Sequence, residues 1–516
     1  MGESFGRAMT WLHTWAGLVL GAVLFAVFWM GTLSVFHEEL DRWMQPATRL
    51  PPPPAVISLD RLVVPLAATE AVGASQWGLM LPTAREPMAQ FFYRAPDGGF
   101  VVHAIDPHTG ALLPEPGSAG ATGFIVPFHY GLHIEWRRLG YWLVGAASMG
   151  MLVLLVSGVV VHRRRFKEFF TFRPDKRLPR ATLDLHNLTG MVALPFHFLI
   201  TLTGVILFME VYFPSAADLA YRSADNPRGS FFADAFGGFR RPLLNESGEL
   251  VSLDAMVVEA SARWSGSPPR FVRVWHPGDA NAYVEVRRTY ADQASLTRGQ
   301  IFFDAGSGRI LHQFDTAPVM STQRFLSGLH FIAFDHWALR WLYFLAGLAG
   351  CAMIATGFVF WLEARRRRHA GTAMGGRRLV EALTVASVTG IIAATLALLV
   401  ANRLLPADAS MGSTGRSELE VWVFWAVWLV AFAHASLRGT RAWRDQTWAI
   451  GGLAFTAVLL NGLTTGHHPL AALQAQLWAV AGVDAVLLMT GAAALAVAIR
   501  LGRRGTPHTL GVDGNG

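Results

Sequence analysis

Histidine residues recur at matching places in the two halves of the first 365 residues. His13 and His186 each open an apolar stretch, and a glycine follows each of them four residues later. His133 and His330 each follow a leucine shortly before another apolar stretch. Paired neutral imidazoles are the usual axial ligands of haem b in membranes, and ionisable residues at membrane depth are candidates for function. The pattern predicts two iron centres, one held by His13 and His186 and one by His133 and His330.

Three further histidines are alternative ligands. His197 lies eleven residues after His186, which on a straight helix places it about 20° away around the axis and about 16 Å deeper. His129 lies four residues before His133 on the same helical face, and His162 ends the second apolar stretch. A single interfacial histidine is more often a headgroup contact than a ligand, so the prediction depends on the recurrence in both halves.

The composition indicates a membrane protein. Of the 516 residues, 52% are hydrophobic and only 15% are charged, whereas soluble domains carry about a quarter charged residues. The one cysteine, Cys351, excludes an internal disulfide, a cysteine-ligated iron–sulfur cluster and covalent haem attachment. The net charge of +7 comes with arginines clustered at the ends of apolar stretches. This placement favours a topology signal over nucleic-acid binding.

Eight apolar stretches are long enough to cross about 30 Å of hydrocarbon. Basic loops at 162–185 and 362–378 predict the cytoplasmic side, and both termini fall on that side. The predicted fold class is an α-helical polytopic membrane protein with two small periplasmic α+β domains. The predicted segments are transmembrane helices at 8–36, 139–161, 186–209 and 339–361, outer domains at 37–138 and 210–338, a four-helix C-terminal membrane module at 379–500 and a cytoplasmic tail at 501–516.

The two outer segments share one pattern. Each has a helical stretch, at 56–72 and 253–264, followed by alternating strands and a turn, at 106–110 and 304–308. The unit of helix, outer domain and helix therefore occurs twice. No third copy follows, so the last four apolar stretches form an added module.

Several short sequence motifs are also informative. They are Leu12-His13, Leu132-His133, Gly158 with the run 169–174, Asp184-Leu185-His186-Asn187, Leu194-Pro195-Phe196-His197, and Leu329-His330 leading to 355–357. With these motifs the chain resembles the PepSY-associated transmembrane family over about residues 8–365. Some members are di-haem ferric-siderophore reductases of the bacterial inner membrane. The resemblance implies that location, two haem b groups, and PepSY-like folds for the two outer domains.

The leading hypothesis is electron transfer from the cytoplasmic side through two haems to a periplasmic ferric siderophore or other ferric chelate. No glycine-rich dinucleotide fingerprint follows a strand, so the donor is a separate reductase, reduced flavin or quinol. Arg137, Arg138 and Arg340 lie near the outer histidines in the sequence and are predicted to attract an anionic chelate. Membrane lipid is the other expected partner, and no nucleic-acid partner is expected.

Two hypotheses of other classes remain open. In one, the outer domains bind a peptide or regulate a protease, and the histidines are merely interfacial. In the other, the protein transports iron or its chelate, and the four C-terminal helices act as a gate. An optical spectrum separates these from the redox hypothesis, because only a haem protein shows a low-spin b-type spectrum.

Overall fold

The computed structural model describes residues 3–162, 170–297, 299–368 and 374–504. It forms two compact units, and the boundary between them falls within two helices. The membrane unit comprises Met1–Met44, Gly117–Phe198 and Tyr343–Gly516, and the sheet unit comprises Gln45–Pro116 and Leu199–Leu342. Three parts of the predicted cytoplasmic segments lie outside the described residues: residues 163–169 of the basic loop predicted at 162–185, residues 369–373 of the one predicted at 362–378, and most of the predicted tail 501–516.

Nineteen α-helices occur in the described part of the chain. In chain order they are α1 (Glu3–Ser34), α2 (His37–Met44), α3 (Leu59–Glu70), α4 (Val126–Gly131), α5 (Leu139–His162), α6 (Leu178–Val192), α7 (Leu194–Leu207), α8 (Met209–Tyr212), α9 (Ala216–Ala220), α10 (Pro227–Phe236), α11 (Leu253–Arg263), α12 (Pro318–Phe331), α13 (Trp337–Arg368), α14 (Met374–Val385), α15 (Ile391–Leu404), α16 (Arg416–Arg438), α17 (Arg441–Thr465), α18 (Pro469–Gln474) and α19 (Trp478–Arg504). Short π-helices, Ala121–Ile125 and Ala386–Gly390, lead into α4 and α15.

The helices confirm the predicted membrane architecture. Among the described residues, seven helices are long and apolar enough to cross a membrane, and a bent pair makes eight if it counts as one span. The chain is a multi-pass helical membrane protein. The boundaries differ in two respects. Residues 37–44 and 117–138 of the predicted first outer domain belong to the membrane unit, and residues 199–209 and 339–342 of two predicted transmembrane helices belong to the sheet unit.

The bent pair is α6 and α7, which meet at Ala193 with an angle of 65°. Pro195 lies in the first turn of α7 and has no amide hydrogen, so it cannot donate to the carbonyl of Met191. The structure thus replaces the straight helix expected over 186–209 by two shorter ones. The argument that His186 and His197 share one helical face no longer applies.

One antiparallel sheet fills the sheet unit. Its strands are β1 (Gln76–Met80), β2 (Ala89–Arg94), β3 (Phe100–Ile105), β4 (Pro269–Trp275), β5 (Tyr283–Arg288), β6 (Gln300–Asp304) and β7 (Ile310–Phe314). They are ordered β3-β2-β1-β4-β5-β6-β7. The two outer segments, expected as two domains, therefore contribute to a single sheet.

The two halves of the sheet meet where β1 pairs with β4. Gly78 pairs with Arg273 and Leu79 with Val272 in an antiparallel register. Side chains alternate across the sheet, and one face carries the apolar core. That core joins strand residues with residues of α3 and α11, including Leu79, Phe91, Val272, Val284, Phe303, Leu59, Val63, Met256 and Ala260.

Candidate functional site

His13 lies in the first half of α1 and faces α5. Its Nδ1 is 3.1 Å from the carbonyl oxygen of Leu154 and 3.1 Å from Oγ of Ser157. The ring lies against Gly158, where an added Cβ would be 3.1 Å from the imidazole Cε1. A carbonyl only accepts hydrogen bonds, so the Nδ1 of His13 carries the proton in this contact.

His186 makes the same contacts from α6. Its Nδ1 is 2.7 Å from the carbonyl oxygen of Met353 on α13. An added Cβ on Gly357 would lie 3.1 Å from that same nitrogen. In both cases the imidazole donates to the carbonyl four residues before the glycine against which it packs. The glycine provides room for the ring because it lacks a side chain.

The two imidazole rings face one another in the membrane unit. Their centroids are 6.2 Å apart and their planes are inclined at 80°. Since Nδ1 carries the proton, Nε2 is the nitrogen with the lone pair that a metal takes. Histidine ligands usually donate their other N–H to a carbonyl or carboxylate in this way.

The surroundings fit a metal cofactor better than a bare ion. Within the described ranges, no group of three or more His, Cys, Asp or Glu side chains is placed to hold a metal ion. Two imidazoles supply only two ligands to a metal. A haem iron held by His13 and His186 would take its remaining ligands from the porphyrin.

His129 repeats the arrangement at the other end of α1. It occupies the last turn of α4, and its Nδ1 is 2.9 Å from the carbonyl oxygen of Val27. An added Cβ on Gly31, four residues after Val27, would lie 2.6 Å from the Cε1 of His129. Gly31, which lies eighteen residues after His13, thus packs against a different histidine, His129.

His330 shows the same geometry within the sheet unit. Its Nδ1 is 3.0 Å from the carbonyl oxygen of Ile200 and 3.1 Å from Oγ1 of Thr203. An added Cβ on Gly204 would lie 3.0 Å from its Cε1. Four histidines therefore share one local geometry, in which Nδ1 donates to a carbonyl and the ring packs on the glycine four residues later.

The structure shifts the internal correspondence expected from the sequence. His129 and His330 both lie in the last turn of a short helix, and both precede a tryptophan by seven residues, Trp136 and Trp337. The repeat therefore relates His330 to His129 and not to His133. The shared Leu-His dipeptide suggested a different alignment of the two copies. When His129 is aligned with His330, the two Leu-His dipeptides are offset by four residues.

His133 lies outside this geometry. It follows Leu132, which ends α4 in the left-handed conformation with φ of 51°, and its own φ is 53°. Its ring centroid is 5.2 Å from that of Phe124. His133 is thus placed in the connection from α4 to α5 and not on a helix.

His197 is fully buried on α7 and uses the opposite ring nitrogen. Its Nε2 is 3.2 Å from the carbonyl oxygen of Ala346, and an added Cβ on Gly350 would lie 3.2 Å from the same nitrogen. The Nδ1 is buried and has no hydrogen-bond partner among the described residues. Phe28 packs edge-on against the ring with centroids 5.8 Å apart. His197 thus repeats the carbonyl and glycine contacts with its ring reversed.

The glycines that follow His13 and His186 by four residues have other neighbours. An added Cβ on Gly17 would meet Leu154, and one on Gly190 would meet Met353. The glycines that contact the histidines lie on different helices, so spacing along one helix could not identify them. The Ser157-Gly158 and Thr356-Gly357 pairs were visible as a repeat, but their partners were not.

The three arginines expected near a chelate differ in exposure. Arg340 is only 4% exposed and donates to the carbonyl oxygen of Phe334. Arg137 and Arg138 are exposed and have left-handed φ angles of 47° and 58°. Only Arg137 and Arg138 are therefore available to an anion in solution.

Comparison with known proteins decides the family. The model of the PepSY-associated TM region matches residues 10–364. The chain belongs to this family. The predicted membership is thereby confirmed over nearly the range expected. The chain is 27% identical over 302 residues to the uncharacterized protein PA4219 of Pseudomonas aeruginosa, and the matched region covers 54% of this chain and 73% of that protein. Helices α14 to α19 follow the matched PepSY-associated region.

Proposed function

We propose that this PepSY-family protein is a di-haem b oxidoreductase of the bacterial inner membrane that reduces a ferric chelate in the periplasm. The observation that carries the proposal is the geometry shared by four histidines, together with the 6.2 Å between the ring centroids of His13 and His186. The contact that the four share, a fixed Nδ1–H and a ring packed on glycine, supports ligation at all four.

The proposed ligands of the inner haem are His13 and His186. His129 and His330 are proposed as further ligands, each on the contacts that it makes within its own unit. His129 takes the place first given to His133, because the repeat relates it to His330. When bound, haem b supplies an iron that changes between the ferric and ferrous states by one electron. The protein's part is to fix each imidazole by its carbonyl bond, so that the ligand does not reorient when the iron changes charge.

The proposed substrate is an anionic ferric chelate such as a ferric siderophore. Hard oxygen ligands prefer Fe³⁺ to the softer Fe²⁺, so reduction weakens the complex and releases iron. Exposed Arg137 and Arg138 support this assignment, because their charges raise the local concentration of an anion. The proposed orientation has both termini in the cytoplasm, where a reductase, reduced flavin or quinol donates electrons.

The test is an optical spectrum of the purified full-length chain with a pyridine haemochrome assay. We expect a low-spin b-type spectrum and two haems per chain, with reoxidation of the dithionite-reduced protein by a ferric siderophore under anaerobic conditions. A featureless visible spectrum from a haem-replete host would overturn the redox proposal and favour a peptide-binding protein or a transporter. Rapid reaction with a quinone, without reaction with any ferric chelate, would leave the haem proposal standing. It would make quinone the substrate in place of the ferric chelate.

A further inference from the structure

Helices α14 to α19, termed the C-terminal module, contact the chain that leads into α4. Ser118 donates from Oγ to Oε2 of Glu420 at 2.7 Å. Asn402 donates from Nδ2 to Oγ of Ser118 and to Oε1 of Glu420, each at 2.9 Å. All three side chains are buried. The start of the segment that carries His129 is therefore fixed by two residues of the module.

The same module packs along the side of this segment. The ring centroid of Phe424 lies 4.9 Å from that of Phe124 and 5.6 Å from that of Phe128. Trp425 and Trp428 lie 5.7 and 5.9 Å from Phe128. Phe124, Phe128 and Phe424 have no exposed surface. Such aromatic pairs contribute about 0.5–1.5 kcal/mol each beyond the burial of their area. His129 follows Phe128 directly, so this packing fixes the backbone that bears it.

Helix α1, on which the His129 ring packs, also contacts the module. Trp29 lies on α1 between Val27, whose carbonyl accepts from His129, and Gly31, on which the ring packs. The indole Nε1 of Trp29 donates to Oγ1 of Thr395 at 3.0 Å. Thr395 lies on α15 and is buried. The module thus contacts both α1 and the segment that carries His129.

A further link runs through α2. Asp41 accepts from the amides of Ala121 and Thr122, at 2.6 and 3.2 Å, and so caps the π-helix that leads into α4. Trp43 of the same helix donates to Oδ1 of Asp484 at 2.7 Å. Asp484 belongs to α19 and is fully buried. The cap of the His129 segment is thus itself anchored on the module.

We propose that the C-terminal module positions His129 and thereby sets the redox properties of the iron that this residue would hold. The inference rests on the proposed function, since it takes His129 as a ligand. Groups behind a ligand orient it and tune the metal, although they touch neither metal nor substrate. Thr395, Phe424, Ser118 and Glu420 are positioning residues in this sense.

The test uses full-length protein and follows each haem by redox titration and by its low-spin EPR signal. The haem lost in His129→Ala identifies the signal to be followed. Thr395→Val removes the hydroxyl that accepts from Trp29 while keeping the shape, and Thr395→Ser keeps the hydroxyl. Phe424→Ala removes the aromatic contact. Gln446→Met is the matched control, because Gln446 bonds Thr389 and Ala431 within the module only.

We expect Thr395→Val and Phe424→Ala to shift the midpoint potential and the g values of the His129-dependent haem alone. Thr395→Ser should restore them, and Gln446→Met should change neither haem. Unchanged signals in Thr395→Val and Phe424→Ala, or an equal change of both haems in these variants and in Gln446→Met, would overturn the inference. If His129→Ala retains both haems, the ligand assignment fails instead, and the two failures are thus distinguishable.

Discussion

Asp60 and Asp254 cap one another's helices in the sheet unit. Asp60, at the start of α3, accepts from Oγ of Ser252 at 2.5 Å and from the amide of Leu253 at 2.7 Å. Asp254, at the start of α11, accepts from Oγ of Ser58 and from the amide of Leu59, both at 2.6 Å. Each Ser-Leu-Asp sequence thus supplies the carboxylate for the other helix. The exchange ties the two halves of the duplicated region together.

This exchange predicts a coupled loss of stability. We expect Asp60→Ala to destabilise the start of α11, and Asp254→Ala the start of α3, by about 0.5–2 kcal/mol each as lost caps do. Amide hydrogen exchange of the full chain measures both helices. In each variant, amide protection should fall in the helix that the missing carboxylate capped as well as in the helix that carries the mutation. Asp97→Ala, in an exposed turn, is the control and should leave both helices unchanged. Protection lost only in the mutated helix would contradict the reciprocal arrangement.

The inner pair predicts that His13→Ala and His186→Ala remove the same haem. Loss of one imidazole leaves the iron with a single protein ligand and weakens its retention. Haem content and the EPR spectrum of each variant measure this. Two variants that lose different haems would show that the two histidines serve separate centres.

The glycine contact predicts an effect without any change of ligand. We expect Gly158→Val to lower the occupancy of the haem shared by His13 and His186, because its Cβ would already lie 3.1 Å from the His13 ring. Gly452→Val is the matched control, since an added Cβ there meets no atom within 4 Å. Pyridine haemochrome content per chain is the measurement. Equal haem content in both variants would argue against close packing of the ring on Gly158.

The assignment of the outer ligand distinguishes His129 from its neighbour His133. We expect His129→Ala to lose one haem and His133→Ala to keep both, because only His129 shows the carbonyl and glycine contacts of the other three. Absorption and EPR spectra of the two variants decide this. The reverse result would return the ligand role to His133, as the sequence first suggested.

The pH dependence of the sheet unit follows from Asp304. Burial disfavours its ionised form, but hydrogen bonds from Arg241 and Ser307 outweigh this and lower the pKa of the carboxyl below 3.8. A depressed folded-state pKa adds stability above about pH 3.8, and this stability is lost as the pH falls through the folded-state value. We expect Asp304→Asn to flatten the pH dependence in that range. Hydrogen exchange of β6, corrected for intrinsic rates, measures it, and an unchanged slope would contradict the assignment.

The sequence predicted the membrane spans and the inner histidine pair for a clear physical reason. Apolar length and the recurrence of a histidine at the start of matching apolar stretches can both be read from the sequence alone. The residues that contact the His129 ring could not be predicted from the sequence, because Val27 and Gly31 belong to another helix and approach His129 only in the folded protein. The bend at Ala193 was missed because the apolar pattern continues across Pro195 without interruption. The single sheet was missed because pairing of β1 with β4 joins residues almost two hundred positions apart in sequence.

The β1–β4 pairing has the symmetry of a dimer interface. The pairs Gly78 with Arg273 and Leu79 with Val272 exchange with one another when the two Ser-Leu-Asp sequences are superimposed. A chain carrying one copy of the repeat would expose β1 as an open edge strand and leave its helix without a capping carboxylate. A second identical chain satisfies both needs at once through a two-fold axis. The sheet unit thus holds, in one polypeptide, the pairing that two single-copy chains would form as a homodimer.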